Sequence, residues 1–171
     1  MRVGIGYDSH RFDPGRPLVL GGVGIPGAPG LAGHSDGDAV THALIDALLG
    51  AAGLGSIGDR FPDTSPEWKG ARSLDLLEQT MRLVEERNYQ VVNVDLTVIT
   101  ERPRIAGHAA AMAEALASYL RIGPGSVSVK GKTNEGMGWI GRAEGLAVIA
   151  VALLDQIGDI DALHASIRAG G

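Results

Sequence analysis

Residues 2–8 alternate, with Val3, Ile5 and Tyr7 on one side and small residues between them, a period of two that predicts a strand. Residues 18–22 read as a second short strand, and the Gly/Pro-rich stretch 25–33 reads as a loop. From Asp38 the period changes. Val40, Ala43, Leu44, Ala47, Leu48 and Ala51 recur at helical spacing, with Ser35 or Asp36 available as N-cap and Gly53 or Gly55 able to end the helix. A loop over 56–70 precedes a second amphipathic helix, 73–88, with Leu74, Leu77, Met81 and Val84 on one face. Residues 91–100 alternate as a strand, 108–120 form an alanine-rich helix closed by Gly123-Pro124-Gly125, and 126–132 and 145–154 are the last two strands.

The order β, β, α, α, β, α, β, β predicts an α/β sandwich of the α+β kind, with helices covering one face of the sheet. Apolar strand residues remain on both sides around Val148, Ala150 and Ala152, so the other face is expected to pack against a second subunit. A chain of 171 residues that is 44% apolar suits one domain with a real core. That domain is expected to cover 1–157, leaving 158–171 as an extension that is flexible or a short helix.

Charge and composition remove several classes of function. A net charge of −5 supplies no positive field for a nucleic-acid backbone or an anionic membrane. The longest apolar run, 146–154, is far shorter than the ~20 residues a membrane helix needs. The amino terminus has no basic stretch before an apolar core, so no secretory signal is expected and the compartment is read as the cytoplasm. With no cysteine, a metal has only His and carboxylate to hold it.

Asp8 and His10 sit two apart on a strand and leave the same face. Asp38, His42 and Asp46 share a helix face. Asp8, His10 and His42 make a two-imidazole, one-carboxylate set of the kind zinc takes with a position left open. Taken separately, the first two read equally as a hydrogen-bonded strand end, His42 as a surface histidine, and Asp36 or Asp38 as a helix cap. His34-Ser35 stands at a helix entrance, either against a phosphate or as an ordinary cap. The run from Lys130 to Gly138 is rich in groups suited to a diphosphate, Glu135 offering a hard oxygen ligand, but it is no Walker loop.

Together these strings resemble the cyclodiphosphate synthase family of the non-mevalonate isoprenoid pathway, over residues 1–157. The matching pieces are Gly6-Tyr7-Asp8-Ser9-His10, His34-Ser35-Asp36-Gly37-Asp38 with His42, Asp46 and Leu49-Gly50-Ala51, then Ile57-Gly58 and Phe61-Pro62-Asp63-Thr64. Lys132-Thr133-Asn134-Glu135, Gly141-Arg142 and Glu144-Gly145 complete them.

The resemblance implies a ferredoxin-like subunit, three of which pack their sheets around a threefold axis. It implies a phosphorus–oxygen lyase that turns 4-diphosphocytidyl-2-C-methyl-D-erythritol 2-phosphate into 2-C-methyl-D-erythritol 2,4-cyclodiphosphate and CMP. Asp8, His10 and His42 resemble its zinc ligands, and Glu135 the ligand of a second divalent ion, Mg²⁺ or Mn²⁺. Asp8 and His10 would also meet the substrate. His34 and Thr133 resemble the residues that stabilise the transition state, and Ser35 sits with His34 against phosphate. Ser56, Ile57, Gly58, Phe61, Pro62, Asp63, Thr64 and Ser65 would line the erythritol pocket, although an aspartate is expected where Ser56 stands. Thr100, Pro103, Arg104, Ile105 and Ala106, with Lys132, Thr133 and Asn134, would hold cytidine from the neighbouring subunit. Trp139, where phenylalanine is common, and Arg142 would line the axis or touch ligand. A plant relative stripped of its transit peptide would place the same chemistry in the plastid stroma.

Two other readings stay open. A zinc phosphohydrolase would yield a linear product, and a non-enzymatic binder of CDP-containing ligands would release no CMP.

Overall fold

The computed structural model describes residues 1–158 apart from 63 and 69. Asp63 of the expected erythritol pocket and all but the first residue of the extension 158–171 therefore lie outside the described residues.

Five strands form one sheet in the order β2-β1-β5-β3-β4: β1 (Arg2–Leu20), β2 (Val23–Leu31), β3 (Tyr89–Ile99), β4 (Val127–Lys132) and β5 (Gly145–Gln156). Among the described residues only the β3–β4 pair is parallel; β1 runs antiparallel to β2 and β5, and β5 antiparallel to β3. Helices α1 (Ala39–Ala52), α3 (Ser73–Glu86) and α4 (Ala109–Leu120) carry the core on one face. Two single-turn helices, α2 (Ile57–Arg60) and α5 (Gly138–Gly141), sit in the loops. This is the expected α+β arrangement.

The first two elements differ from the reading of the sequence. Residues 18–20 are the end of one long strand rather than a strand of their own, Gly21 and Gly22 form the turn after it, and most of the supposed loop 25–33 is β2. Pro26 and Pro29 hid it, because proline interrupts the strand pattern; an edge strand tolerates prolines, and β2 is the sheet's edge. β5 also runs on to Gln156, two residues beyond the end predicted at 154.

The core explains where the site lies. On β1 the large residues Val3, Ile5 and Tyr7 point outward, 70%, 71% and 56% exposed, while Gly4 and Gly6 face α1. A Cβ on Gly4 would fall 2.0 Å from the carbonyl oxygen of Ala47, and one on Gly6 1.9 Å from that of Ala43. Only glycine lets backbone approach backbone so closely. The next residues on that inward face are Asp8 and His10, so the contact that seats α1 on β1 also brings His42 over them.

Helix α1 is nearly all buried. Its cap is Asp38, not Ser35 or Asp36: the Asp38 side chain accepts from Thr41 N at 3.0 Å and from Gly21 N and Gly22 N at 2.7 Å each. One buried carboxylate thus caps the helix and closes the β1–β2 turn. Gly53, with φ 69°, ends α1 in the left-handed conformation. Leu74, Leu77, Met81 and Val84 of α3 are buried, as their spacing predicts.

Candidate metal centre and its pocket

Asp8 and His10 from β1 and His42 from α1 converge. Asp8 Oδ2 lies 2.8 Å from His10 Nε2 and 3.1 Å from His42 Nδ1. The ring centroids of the two histidines are 5.6 Å apart. One ligand atom from each of the three residues lies within 4.8 Å of the others, a spacing that suits a single cation.

Hydrogen bonds show how the set fits a metal. His10 Nδ1 faces the carbonyl oxygen of Ala32, which can only accept, so that nitrogen carries a proton. In a neutral imidazole Nε2 is then bare, and it is the atom turned toward Asp8. Two imidazoles and a carboxylate match the donor preferences of zinc, and the histidine-to-carbonyl bond is the usual support for such a ligand.

Without a cation, protons do the same work. Burial alone would raise the Asp8 carboxyl, but hydrogen bonds from His10 and His42 outweigh it and hold the pKa at about 2. The hydrogen bond to Asp8 pushes His10 above its ordinary value, against the opposing effect of burial.

These three residues sit in a cleft of about 360 Å³, whose walls include Gly33, His34, Ser35, Ile57, Gly58, Phe61, Trp68 and Leu76. His34 and Ser35 are therefore beside the centre, as expected. Phe61 and Trp68 meet edge to face at 5.3 Å. Ser56 caps α2, its Oγ and N–H both donating to Asp59 Oδ2 at 2.8 Å. The Asp59 carboxylate is thus engaged in capping α2, and neither it nor Ser56 is among the residues lining the cleft. Pro62, Thr64 and Ser65 follow in the segment beyond Phe61 and are not among the residues lining the cleft.

One expectation changes. The start of α1 is no empty seat for phosphate, because the buried Asp38 carboxylate already takes the Thr41 N–H there. Asp46, on the same helix face as His42, accepts the Ile57 N–H at 2.7 Å and ties α2 to α1.

The other predicted residues gather elsewhere. Thr100, Pro103, Arg104, Ile105, Ala106 and Thr133 line a second cleft of about 280 Å³, with Glu101 and Gly131. Thr100 N donates to Lys132 O at 2.8 Å, joining the two segments. Thr133 Oγ1 donates to Glu135 Oε1 at 2.7 Å. Trp139 shares a smaller cleft with Ser9, His10, Arg11 and Glu144, and Arg142 Nε donates to Glu144 Oε1 at 2.6 Å. Among the described residues, none lines both the metal-centre cleft and the Thr100–Thr133 cleft.

Reading the sequence missed Glu101, Trp68 and Ser73, and took Asp36 only as a candidate cap and part of a matching string. Glu101 Oε1 accepts from Asn134 N at 3.0 Å and Gly136 N at 3.1 Å, shaping the loop that carries Glu135. A long-range contact of this kind leaves no local pattern. Trp68 was visible only as an aromatic in a polar loop.

Comparison with known proteins covers nearly the whole chain. Residues 1–155 match the model of the YgbB family. The 2-C-methyl-D-erythritol 2,4-cyclodiphosphate synthase of Symbiobacterium thermophilum is 56% identical over 154 residues, 90% of this chain and 98% of that protein. A solved 2C-methyl-D-erythritol-2,4-cyclodiphosphate synthase in its CDP-bound form superposes with TM-score 0.83 at 44% identity, over 90% of this chain and all of the other. The bifunctional IspDF of Campylobacter jejuni superposes with TM-score 0.88 at 41% identity; 91% of this chain is covered, and 42% of that longer one.

Proposed function

The chain belongs to the YgbB family, and from this we propose that it converts 4-diphosphocytidyl-2-C-methyl-D-erythritol 2-phosphate to 2-C-methyl-D-erythritol 2,4-cyclodiphosphate and CMP. The observation that carries the reading is the convergence of Asp8, His10 and His42 in a cleft also lined by His34, Ser35, Ile57 and Phe61.

In the reaction an oxygen of the 2-phosphate forms a bond to the β-phosphorus. The bond from that phosphorus to the oxygen bridging to the α-phosphorus breaks, and CMP leaves with the bridging oxygen. No protein nucleophile is needed; bringing two anionic groups together is the main task. A zinc ion on Asp8, His10 and His42, with a second divalent ion on Glu135, would supply the charge neutralisation this requires. Ile57, Gly58 and Phe61 give the polyol an apolar wall, and Ser35 offers a hydroxyl beside it. His34, which lines the same cleft, would face the transferring phosphate.

The second cleft, with Thr100, Arg104, Ala106 and Thr133, has the size and donors for a nucleoside monophosphate. It lies apart from the metal centre within one subunit, which favours a site completed by a neighbouring copy. The outward Val3, Ile5 and Tyr7 supply an apolar face for that association, read here as a homotrimer. The cyclase reading is favoured over hydrolysis because the matched relatives bear the cyclodiphosphate synthase name along nearly their full length.

Replacement of a ligand tests the proposal. Asp8→Ala and His42→Ala are each expected to lose bound metal and CMP release together. Full metal content with normal turnover in either variant would rule it out.

A further inference from the structure

His42 has a second neighbourhood, on the side away from Asp8. Its Nε2 lies 2.8 Å from Ser73 Oγ and 3.0 Å from Ser35 Oγ. Ser73 opens α3 and is fully buried. Its hydroxyl donates to Asp36 Oδ1, and its backbone N–H donates to Asp36 Oδ2 at 3.0 Å.

The direction of this chain is set by chemistry. A carboxylate has no proton to give, so the Ser73 hydroxyl proton goes to Asp36. Ser73 Oγ is left with lone pairs toward His42 and can only accept from it. His42 therefore has its proton on Nε2, and Nδ1 bare, whenever a cation rather than a proton lies between Nδ1 and Asp8. Nδ1 is the atom that faces Asp8. Ser35 cannot fix this by itself: its Oγ accepts from Gly37 N at 3.2 Å, and its own proton is free to point either way.

Resting on the metal-binding reading above, we propose that Ser73 and Asp36 are positioning residues. Through the Asp36–Ser73–His42 chain they hold the imidazole in the tautomer and orientation that present Nδ1 to a cation. They do for His42 what the Ala32 carbonyl does for His10. A hydrogen-bonded partner behind a ligating histidine raises its basicity and fixes its ring, and loss of such a partner costs about 10- to 100-fold in metal affinity.

Ser73→Ala isolates the hydroxyl, because the backbone N–H that ties α3 to Asp36 remains. Zinc affinity of the full chain is measured by competition with a chelator, together with the thermal stability of the zinc-free protein. Ser73→Ala is expected to bind zinc about ten-fold more weakly or worse, with the zinc-free melting point little changed, and Ser73→Thr is expected to recover most of the loss. Independently, long-range ¹H–¹⁵N spectra of zinc-loaded wild-type protein are expected to show His42 protonated on Nε2 and metal-bound through Nδ1. Wild-type protein that takes up no zinc overturns the metal reading and this inference with it. Tight zinc in wild-type protein with Ser73→Ala within about two-fold of it, or zinc on Nε2 of His42, overturns this inference alone.

Discussion

The Asp46 carboxylate accepts the backbone N–H of Ile57 at 2.7 Å, so the helix that carries His42 also holds the wall of the cleft in place. Burial raises the pKa of this half-buried carboxyl, and the Ile57 N–H opposes the rise. Asp46→Ala removes the acceptor and leaves a donor short of a partner, a loss of about 1–3 kcal/mol in the local structure. The expected result is a KM raised about 5- to 10-fold, equivalent to about 1–1.4 kcal/mol of substrate binding, with metal content unchanged. Asp46→Asn, which keeps an acceptor, should restore most of it in steady-state kinetics.

Gly6 tests the contact between β1 and α1. A Cβ there would meet Ala43 O at 1.9 Å and Ala47 N at 2.8 Å, both backbone atoms that cannot rotate away. Gly6→Ala is expected to cost about 3 kcal/mol or more and to disturb the metal ligands two and four residues on. Gly24→Ala, where nothing lies within 4 Å, should stay within about 1 kcal/mol. Thermal or urea unfolding of the two variants checks the contrast.

The pKa shifts give the metal centre a direction in pH. In the metal-free protein the raised His10 contributes stability that is fully present below its ordinary 6.5 and is lost as pH rises through its higher folded value. Asp8 contributes stability present above its ordinary 3.8 and lost as pH falls through about 2. A cation must displace the His10 proton, so metal affinity is expected to rise with pH from below 6.5 until His10 is neutral. Chelator competition at several pH values measures the slope; affinity independent of pH across that range would contradict it.

Ile5 is the test of association. It is 71% exposed in the single subunit, on the same outward face as Val3 and Tyr7. Ile5→Lys is expected to shift sedimentation from the proposed trimer to monomer and to lower turnover at least 100-fold, because within one subunit the metal-centre cleft and the second cleft share no described lining residue. Fully active monomer would remove the shared-site reading.

How much was readable in the sequence depended on distance along the chain. The helical spacing of Val40, Ala43, Leu44, Ala47 and Leu48, and of Leu74, Leu77, Met81 and Val84, located α1 and α3, because each pattern is completed within one element. Asp8 and His10 could be assigned to one strand face for the same reason. β2 was hidden because its prolines break the alternation while its place at the sheet edge forgives them. The cap at Asp38 was one of several acids near the helix start, and only its bonds to Gly21 and Gly22 distinguish it. Asp36 and Ser73 stand 37 residues apart, and each alone has the look of a helix-start residue; their bond to each other, and that of Ser73 to His42, exist only after folding.

The central claim is cyclisation. Incubation with 4-diphosphocytidyl-2-C-methyl-D-erythritol 2-phosphate and zinc, followed by ³¹P NMR, should give two mutually coupled phosphorus signals from a cyclic diphosphate and a CMP signal in equal amount. A linear phosphate product, or consumption of substrate without CMP, would contradict it.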